Sequence, residues 1–317
     1  MRDLSIVMYH YVRPIKDSAY PDLKGLELEL FRQQIDYFEK EFHVVTMEQV
    51  IDAVSGKGTL PEKAMLLTFD DGYIDHYQYV FPILKEHHMQ GSFFVPSALV
   101  HTPRVLDVNK IHFILVSAPI EEVLLALYEI LNRYRSQGVQ LESNEVLFEK
   151  MAHANRWDTK EVIFVKRMLQ SYLDEDIRGK IVTELFHKFV TDSDETFSNS
   201  LYMNKAQIIE MKQAGMYFGL HGEKHYWLNQ VSEEKMKRDI LNGLEFFKDV
   251  IDPDYMAINY PYGGYNETVV EFAKSIGCKV GFSVEARHVD FIKENPLLLP
   301  RLDTNDFPPK SERWREL

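Results

Sequence analysis

Short apolar runs separated by amphipathic stretches fill about the first hundred residues. Leu4–Tyr9 and most of Ala64–Asp71 lack polar alternation, which is typical of strands covered on both faces. Between them, Leu28–Phe42 places its apolar residues at helical spacing. The other elements predicted here are a helix at Met47–Val54, a loop at Gly56–Pro61, a helix at Tyr77–Met89 and a strand at Gly91–Val95. This order predicts parallel strands joined by helical crossovers.

The pattern changes at residue 102, and residues 102–196 have almost no strand character. Helical periodicity instead predicts helices at Ile111–Val116, Glu121–Tyr134, Glu145–His153, Lys160–Tyr172 and Glu175–Phe189. The apolar stripes are too strong for a linker, so we interpret this region as a helical insertion. It would form a lid or substrate wall, or else a dimer interface or simple packing.

Alternating strands and helices return after Phe197. The predicted strands are Met216–Leu220, Tyr255–Asn259 and Lys279–Val284, and the predicted helices are Lys205–Gln213, Ser232–Val250 and Glu267–Ile276. Asn204 is a suitable N-cap for the first of these helices, and Gly215 suits the position after its end. The repeated βα units predict an α/β fold, an incomplete (β/α) barrel formed by residues 1–101 and 197–317.

Composition narrows the class of protein. The 317 residues are 45% hydrophobic and carry a formal charge of −13, which argues against nucleic acid and anionic membranes as main partners. The single cysteine, Cys278, excludes an intrachain disulfide and a cysteine metal cage, and we expect a buried thiol. No apolar run reaches the about 18 residues of a membrane span, and the N-terminal apolar stretch is too short for a signal peptide. We therefore expect a cytoplasmic protein.

Two adjacent carboxylates, Asp70 and Asp71, end the strongest predicted strand and precede Gly72. Parallel barrels place their chemistry at the carboxyl ends of their strands. Neighbouring residues of a regular strand point to opposite faces, so both aspartates can face one site only if the strand breaks there. Gly72 permits such a break. The alternative is a strand-to-helix turn with an aspartate helix cap.

Two histidines, His221 and His225, follow another predicted strand. On a helix, side chains four residues apart share a face, so these two imidazoles could bind one divalent metal ion. Two histidines and one carboxylate leave an open position for water, as in catalytic zinc sites. A second carboxylate that does not bind the metal could take a proton from that water. Zinc suits such ligands best, although Co²⁺, Ni²⁺, Mn²⁺ and Fe²⁺ fit similar sets.

Three motifs together resemble a known family. TFDDG at 68–72, HGEKH at 221–225 and YPYGGYN at 260–266 resemble, in order, the motifs of the polysaccharide deacetylases (NodB homology domain, carbohydrate esterase 4). VMYHYV at 7–12 is similar to the branch of that family found in surface-polysaccharide and lipopolysaccharide synthesis. The resemblance covers roughly residues 1–100 and 197–310. It implies a distorted (β/α)₇ barrel that hydrolyses an N-acetyl, or less often an O-acetyl, group of a sugar.

The resemblance also implies roles for individual residues. Asp70 would be the general base, and Asp71, His221 and His225 would bind the metal ion. The backbone N–H of Tyr262 would help to hold the oxyanion, since a fixed donor there stabilises the transition state.

The sequence departs from the family pattern at two positions. The third motif usually starts with an arginine that holds the base, where this chain has Asn259. Arg301 could supply that guanidinium from the last strand, or it could be an ordinary barrel-closing ion pair. The family also has a C-terminal histidine as general acid, and no histidine follows His288 here. His10 is the candidate replacement and His288 a poorer one; alternatively, His10 is a hydrogen-bonded structural residue beside the metal site.

The substrate expected from the resemblance is an acetamido sugar in a surface glycan or in its lipid-linked, nucleotide-linked or polymeric precursor. Trp227 and Tyr262 could line a sugar subsite or belong to the core. Two other functions stay open: hydrolysis of a non-sugar cyclic amide, and a degenerate, non-catalytic glycan-binding protein. A homodimer through the insertion is also expected. Three further histidines are expected to be solvated or at helix ends: His76, His87 and His88.

Overall fold

The computed structural model describes residues 4–154, 158–291 and 293–317. The described chain forms two compact units. The first contains residues 4–15, 25–104 and 198–317, and the second contains residues 16–24 and 105–197. The predicted division at 102 and 196 stays a prediction about domain organisation.

Parallel strands form the main sheet of the first unit. Its strand order is β10-β1-β5-β6-β7-β8-β9, with β4 paired to the start of β5, and every pair is parallel. A separate parallel pair joins β2 and β3. The strands are β1 Leu4–Tyr9, β2 Val12–Arg13, β3 Leu26–Glu27, β4 His43–Val44, β5 Ala64–Asp70, β6 Ser92–Val95, β7 Tyr217–Leu220, β8 Ala257–Asn259, β9 Val280–Phe282 and β10 Leu302–Asp303.

The segment 299–303 reaches both edges of this sheet. Leu299 donates to the carbonyl of Gly281 at 2.7 Å and accepts from the N–H of Ser283 at 2.9 Å, which bonds it to β9. Three residues further on, Leu302 pairs with Val7 of β1. The sheet is therefore curled, and the predicted incomplete (β/α) barrel is confirmed.

The longer strands, such as β1, β5 and β6, are largely apolar because both of their faces are buried. On the inner face, residues such as Leu66, Phe94 and Ala257 form one hydrophobic cluster. On the outer face, residues such as Leu67 and Phe93 join the cluster that includes the flanking helices. Because side chains alternate along a strand, the inner face continues at the carboxyl ends to four polar residues: His10, Asp70, His221 and Asn259.

The described residues form thirteen α-helices. They are α1 Leu28–Glu41, α2 Met47–Val54, α3 Phe81–Glu86, α4 Ala98–His101, α5 Asp107–Ser117, α6 Ile120–Ser136, α7 Asn144–Met151, α8 Lys160–Arg167, α9 Glu175–Phe189, α10 Asp194–Leu201, α11 Lys205–Gln213, α12 Glu233–Phe246 and α13 Glu267–Ser275. The predicted caps of α11 are confirmed: Asn204 accepts from the N–H of Gln207, and Gly215 has a φ of 95°.

In three predicted elements, a turn of another helical type replaces part of the expected helix or strand. The helix predicted at Tyr77–Met89 starts instead as a π-helical turn at His76–Val80 and continues as α3. The helix predicted at Lys160–Tyr172 likewise ends in a π-helical turn at Met168–Tyr172. The strand predicted from Tyr255 begins two residues later, because a 3₁₀ turn starting at a proline occupies Pro253–Tyr255.

The second unit is helical over all of its described elements. Its core consists of buried aliphatic and aromatic side chains such as Phe113, Leu127, Phe164 and Phe186. Among the described helices of the whole chain, none has the length and apolar character needed to cross a membrane.

Candidate active site

The strand break expected at the two aspartates falls on Asp71. Asp70 is the last residue of β5, whereas Asp71 and Gly72 have φ values of 71° and 69°. A left-handed conformation costs a non-glycine residue about 1–2 kcal/mol, and such strain is concentrated at functional sites. A Cβ on Gly72 would lie 2.5 Å from Cγ1 of Val95, so only glycine fits there.

A buried cluster of one carboxylate and two imidazoles lies at this edge of the barrel. Oδ1 of Asp71 lies 3.4 Å from Nε2 of His221 and 3.2 Å from Nε2 of His225. One ligand atom from each residue lies within 4.8 Å of the others, and all three residues are buried. Oδ1 of Asp71 is buried without a hydrogen-bond partner among the described residues. A buried carboxylate oxygen that lacks a donor and faces two ring nitrogens fits a divalent metal ion.

Neighbouring groups orient two of these three ligands. The Nδ1–H of His221 donates to the carbonyl of Asn259 at 2.7 Å, which leaves Nε2 as the free acceptor. The hydroxyl of Tyr73 donates to Oδ2 of Asp71 at 2.8 Å, which leaves Oδ1 for a metal ion. Burial raises the pKa of Asp71, but the imidazoles of His225 and His221 outweigh burial and hold this pKa well below its usual range.

The two histidines meet through a tight loop, so the prediction that they share a helix face is wrong. Gly222 and His225 have φ values of 70° and 59°, which bend the chain back between the imidazoles. Asp239 of α12 fixes this loop, since its carboxylate accepts from the backbone N–H groups of Lys224 at 2.8 Å and Glu223 at 3.1 Å. A Cβ on Gly222 would lie 2.2 Å from Oδ2 of Asp239.

Asp70 is held by a bidentate ion pair with Arg301. The two terminal nitrogens of the guanidinium lie 2.9 Å from Oδ1 and 2.9 Å from Oδ2, and only 1% of Arg301 is exposed. The Arg301 side chain also donates to the carbonyl of Ser283 at 3.1 Å and to the hydroxyl of Thr68 at 3.2 Å. Burial raises the pKa of Asp70, but Arg301 and then His10 lower it below its ordinary value. The carboxylate is therefore ionised and can accept a proton.

Arg301 thus pairs with Asp70. In the family pattern this partner would be an arginine at position 259, where this chain has Asn259. The side-chain nitrogen and oxygen of Asn259 are buried and make no hydrogen bond with the described residues. Asn259 contributes its carbonyl to the site, whereas Arg301 arrives from the segment between β9 and β10.

His10 stands directly after β1, beside Asp70. Its Nε2 lies 3.8 Å from Oδ2 of Asp70, and 44% of its side chain is exposed, so it is open to a ligand above the site. The ring nitrogens of His288 are instead close to the hydroxyl of Ser5 at 3.0 Å and the carbonyl of Trp314 at 2.6 Å. Of the two histidines considered from the sequence, the structure brings only His10 to Asp70.

Two parallel aromatic rings extend the site beyond His225. Tyr262, in the turn after β8, has a φ of 59°, and its ring centroid lies 4.4 Å from that of His225. Trp227 stacks on Tyr262 with centroids 4.6 Å apart and planes inclined by 5°. Both aromatic residues are partly exposed, so they offer a flat apolar surface next to the buried ligands.

His76 is a site residue that the sequence analysis missed. We expected a solvated or helix-end residue, but His76 is fully buried and its Nε2–H donates to the carbonyl of His10 at 2.9 Å. Its ring packs between Phe69 and Phe93. No periodic pattern marks this position, because its partner is a backbone carbonyl far away in the chain.

The burial of His76 makes an acid-sensitive contribution to stability. Burial lowers the pKa of His76 from 6.5 to about 4, although the hydrogen bond to His10 opposes this effect. The unfolded state therefore binds more protons between these two values, and folding becomes less favourable as the pH falls through them. The full loss amounts to roughly 3 kcal/mol.

We expect the His76→Gln variant to lack this acid sensitivity. Glutamine can keep the donor to His10, but it does not titrate. Denaturant unfolding of both proteins across the pH range from 6.5 to about 4 should therefore show the stability advantage of the wild type shrinking as the pH falls. Parallel curves for the two proteins would contradict a buried, neutral His76.

A second cluster of metal-ligand types, His87 with Asp36 and Glu39, lies at the surface. Nδ1 of His87 lies 3.2 Å from Glu39, and its Nε2 lies 3.8 Å from Asp36. Each ring nitrogen of His87 therefore faces one of the two carboxylates. Both carboxylates are more than half exposed, as is usual for surface pairs of little energetic consequence.

The fold and this site together define a class of hydrolase. In this class a barrel carries an Asp-His-His cluster beside a second carboxylate. The sequence profile of the polysaccharide deacetylase family matches residues 57–168 and 187–281, which is more than half of the chain. The chain therefore belongs to the polysaccharide deacetylase family, and the resemblance seen in the motifs is confirmed.

Curated relatives match shorter stretches. The poly-β-1,6-N-acetyl-D-glucosamine N-deacetylase of Escherichia coli K12 is 40% identical over 88 residues, which is 27% of this chain and 13% of that protein. A Bacillus subtilis protein named as a polysaccharide deacetylase, YxkH, is 50% identical over 92 residues, which is 29% of this chain and 31% of the relative. The matched regions thus span less than a third of each relative.

Solved structures match over nearly the whole chain. The Streptococcus pyogenes deacetylase PplD, in complex with acetate, has a TM-score of 0.61 and 18% identity, covering 99% of this chain and 96% of that one. IcaB from Ammonifex degensii has a TM-score of 0.57 and 19% identity, covering 100% and 98%. At these identities the likeness concerns the fold.

Proposed function

We propose that this protein is a metal-dependent deacetylase that hydrolyses the N-acetyl group of an acetamido sugar in a surface glycan or its precursor. The observation that carries the proposal is the buried Asp71–His221–His225 cluster, with its unbonded carboxylate oxygen, beside the ionised carboxylate of Asp70. Amide hydrolysis needs an activated water, a polarised carbonyl and a proton for the departing amine.

Asp71, His221 and His225 would hold the metal ion, which we expect to be Zn²⁺, with Co²⁺, Ni²⁺, Mn²⁺ or Fe²⁺ as alternatives. When bound, such an ion polarises a carbonyl and lowers the pKa of water. Asp70 would take a proton from the attacking water as general base. The bidentate contact with Arg301 keeps the Asp70 carboxylate ionised and fixes its orientation.

The proton for the departing amine would come from His10, the exposed imidazole nearest to Asp70. General acid catalysis of this kind contributes about 10²–10⁴-fold to the rate. The backbone N–H of Tyr262 would face the oxygen of the acyl group. One such donor is typically worth about 10²–10³-fold in kcat.

The proposed substrate class is an acetamido sugar polymer or its precursor. The named substrate of the Escherichia coli relative is a polymer of N-acetyl-D-glucosamine, and its matched region is 40% identical. The stacked rings of Trp227 and Tyr262 would support the apolar face of a sugar ring, as aromatic side chains commonly do in ligand sites.

The test is acetate release from short β-1,6-linked N-acetylglucosamine oligomers by zinc-loaded protein, with a cyclic amide as the competing substrate. We expect acetate in amounts equal to the free amine formed. Ring opening of the cyclic amide without acetate would replace the proposal by the non-sugar amidase. Oligomer binding without turnover by fully metal-loaded protein would favour the glycan-binding protein.

Two further expectations from the sequence stay predictions. A homodimer through residues 102–196 would be measured as twice the chain mass in solution. A cytoplasmic location would be measured by fractionation of the source cells.

A further inference from the structure

The short segment after the two aspartates, residues 73–76, contacts the backbone that carries His10. Three of its side chains contact residues 10–13, which comprise the connection after β1 and the short strand β2. The contacts are a hydrogen bond, an ion pair and a ring stack. Together they join this connection to the strand end that carries Asp70.

The hydrogen bond comes from His76. Its Nε2–H donates to the carbonyl of His10 at 2.9 Å, and the ring is fixed between Phe69 and Phe93. Because His76 is fully buried, water cannot reach its Nε2–H and compete with the carbonyl of His10. The hydrogen bond therefore fixes the peptide group of His10 itself.

The ion pair joins Asp75 to Arg13. Nε of Arg13 donates to Oδ2 of Asp75 at 2.7 Å, and Asp75 is 2% exposed. The Arg13 guanidinium also lies 5.3 Å from the ring centroid of Tyr11. A buried charge-assisted pair of this kind holds its two chain segments in one geometry.

The ring stack connects the same segment to the proposed metal site. Tyr11 stacks on Tyr73 with centroids 4.1 Å apart, and the hydroxyl of Tyr73 donates to Asp71. Residues 71–76 therefore include the Asp71 carboxylate that would bind the metal, and they also contact the loop that carries His10, the proposed general acid.

The His10 side chain, in contrast, has little to fix it. Its only polar contact among the described residues is with Asp70 at 3.8 Å, and nearly half of the side chain is exposed. The position of the imidazole must therefore come from the backbone. A misplacement of about 1 Å can cost about 10²-fold in rate, so backbone positioning matters for catalysis.

We propose that His76, supported by Asp75, is a positioning residue that places the His10 imidazole for proton donation. The inference rests on the proposed deacetylase function. His76 touches no reacting atom in this scheme and acts through the peptide group of His10.

The test is a mutant cycle between His76 and His10. His76→Phe keeps a ring between Phe69 and Phe93 but loses the donor, whereas His76→Gln keeps a donor that corresponds to Nε2. We expect His76→Phe to lower kcat by about 10–100-fold without changing KM or metal content. His76→Gln should regain most of that loss. In the His10→Ala background, His76→Phe should have almost no further effect, because both changes remove the same step.

His87→Gln is the matched control, since it changes a partly buried histidine outside the site, and it should leave kcat unchanged. An equal loss from His76→Phe with and without His10 would overturn the inference and indicate a general structural role. A raised KM or a lost metal ion would overturn it as well. If His76→Phe does not fold, Asp75→Asn tests the same set of contacts. We then expect the same loss of kcat, and the same absence of a further effect in the His10→Ala background.

Failure of the proposed function is recognised separately. If the wild type releases no acetate, a crystal structure of His76→Phe decides the positioning question without activity. Displacement of His10 from Asp70 by more than 1 Å beyond the present 3.8 Å would support the inference. An unchanged His10 would overturn it.

Discussion

Replacing Asp70 by asparagine is expected to reduce acetate release by about 10²–10⁴-fold, the usual contribution of a general base. Asparagine has nearly the same shape as aspartate but cannot accept a proton. The three proposed metal ligands are unchanged in this variant, so metal content should stay at the wild-type level. Steady-state kinetics with N-acetylglucosamine oligomers, together with elemental analysis, measures both effects.

This variant needs a control because it leaves the charge of Arg301 without its carboxylate partner. Asparagine leaves the guanidinium buried with a weaker partner, and breaking such a pair costs about 3–5 kcal/mol. The double variant Asp70→Asn/Arg301→Met removes both charges, so its thermal stability should recover while its activity should not. Asp36→Asn, at an exposed carboxylate, should change neither property. Activity of Asp70→Asn within a few-fold of wild type would exclude Asp70 as the base.

Much of the fold follows from patterns that are visible in the sequence. The apolar run that ends at Asp70 is buried at every position of β5, and its lack of alternation reflects the two covered faces. The two-residue period then places Asp70 and His10 on the inner face, where barrels carry their chemistry. Local signals predicted these elements because each depends on residues that are close in the chain.

The parts of the site that the sequence did not predict depend on backbone conformations that side-chain patterns do not encode. Asp71 and His225 both adopt left-handed conformations, which are uncommon for non-glycine residues. The spacing of His221 and His225 suggested a helix, but a loop held by Asp239 brings them together instead. The contact of His76 with the His10 carbonyl joins residues 66 positions apart and involves no second side chain, so no motif predicts it.

Arg301 shows what the sequence can and cannot supply. The absence of arginine at position 259 directed attention to Arg301, and the guanidinium lies on Asp70 in the structure. The sequence left an ordinary ion pair equally open, because bidentate geometry and full burial are properties of the folded chain. The role of Arg301 in holding the base is tested by the kinetics of Arg301→Met alone, because the double variant lacks the base.

The second large effect is expected from removal of the metal ligands. Asp71→Ala/His221→Ala should abolish metal binding, whereas the wild type should hold one metal ion per chain. The two substitutions remove the buried carboxylate oxygen that lacks a donor and the imidazole whose Nδ1–H is tied to Asn259. One ligand, His225, then remains, and a lone imidazole does not hold Zn²⁺ against water. Elemental analysis of protein purified without chelator measures the difference.

Thermal unfolding provides a readout that does not depend on activity. Metal that binds only the folded state stabilises it by about 2.7 kcal/mol at a free concentration 100 times Kd, so zinc should raise the Tm of the wild type and a chelator should reverse this. The ligand variant should show no such shift, and His87→Ala, in the second cluster at the surface, should behave as wild type. One equivalent of metal retained by the ligand variant would place the metal elsewhere. A wild type that binds none after zinc loading would leave Asp70 without an activated water and would favour the non-catalytic glycan-binding protein.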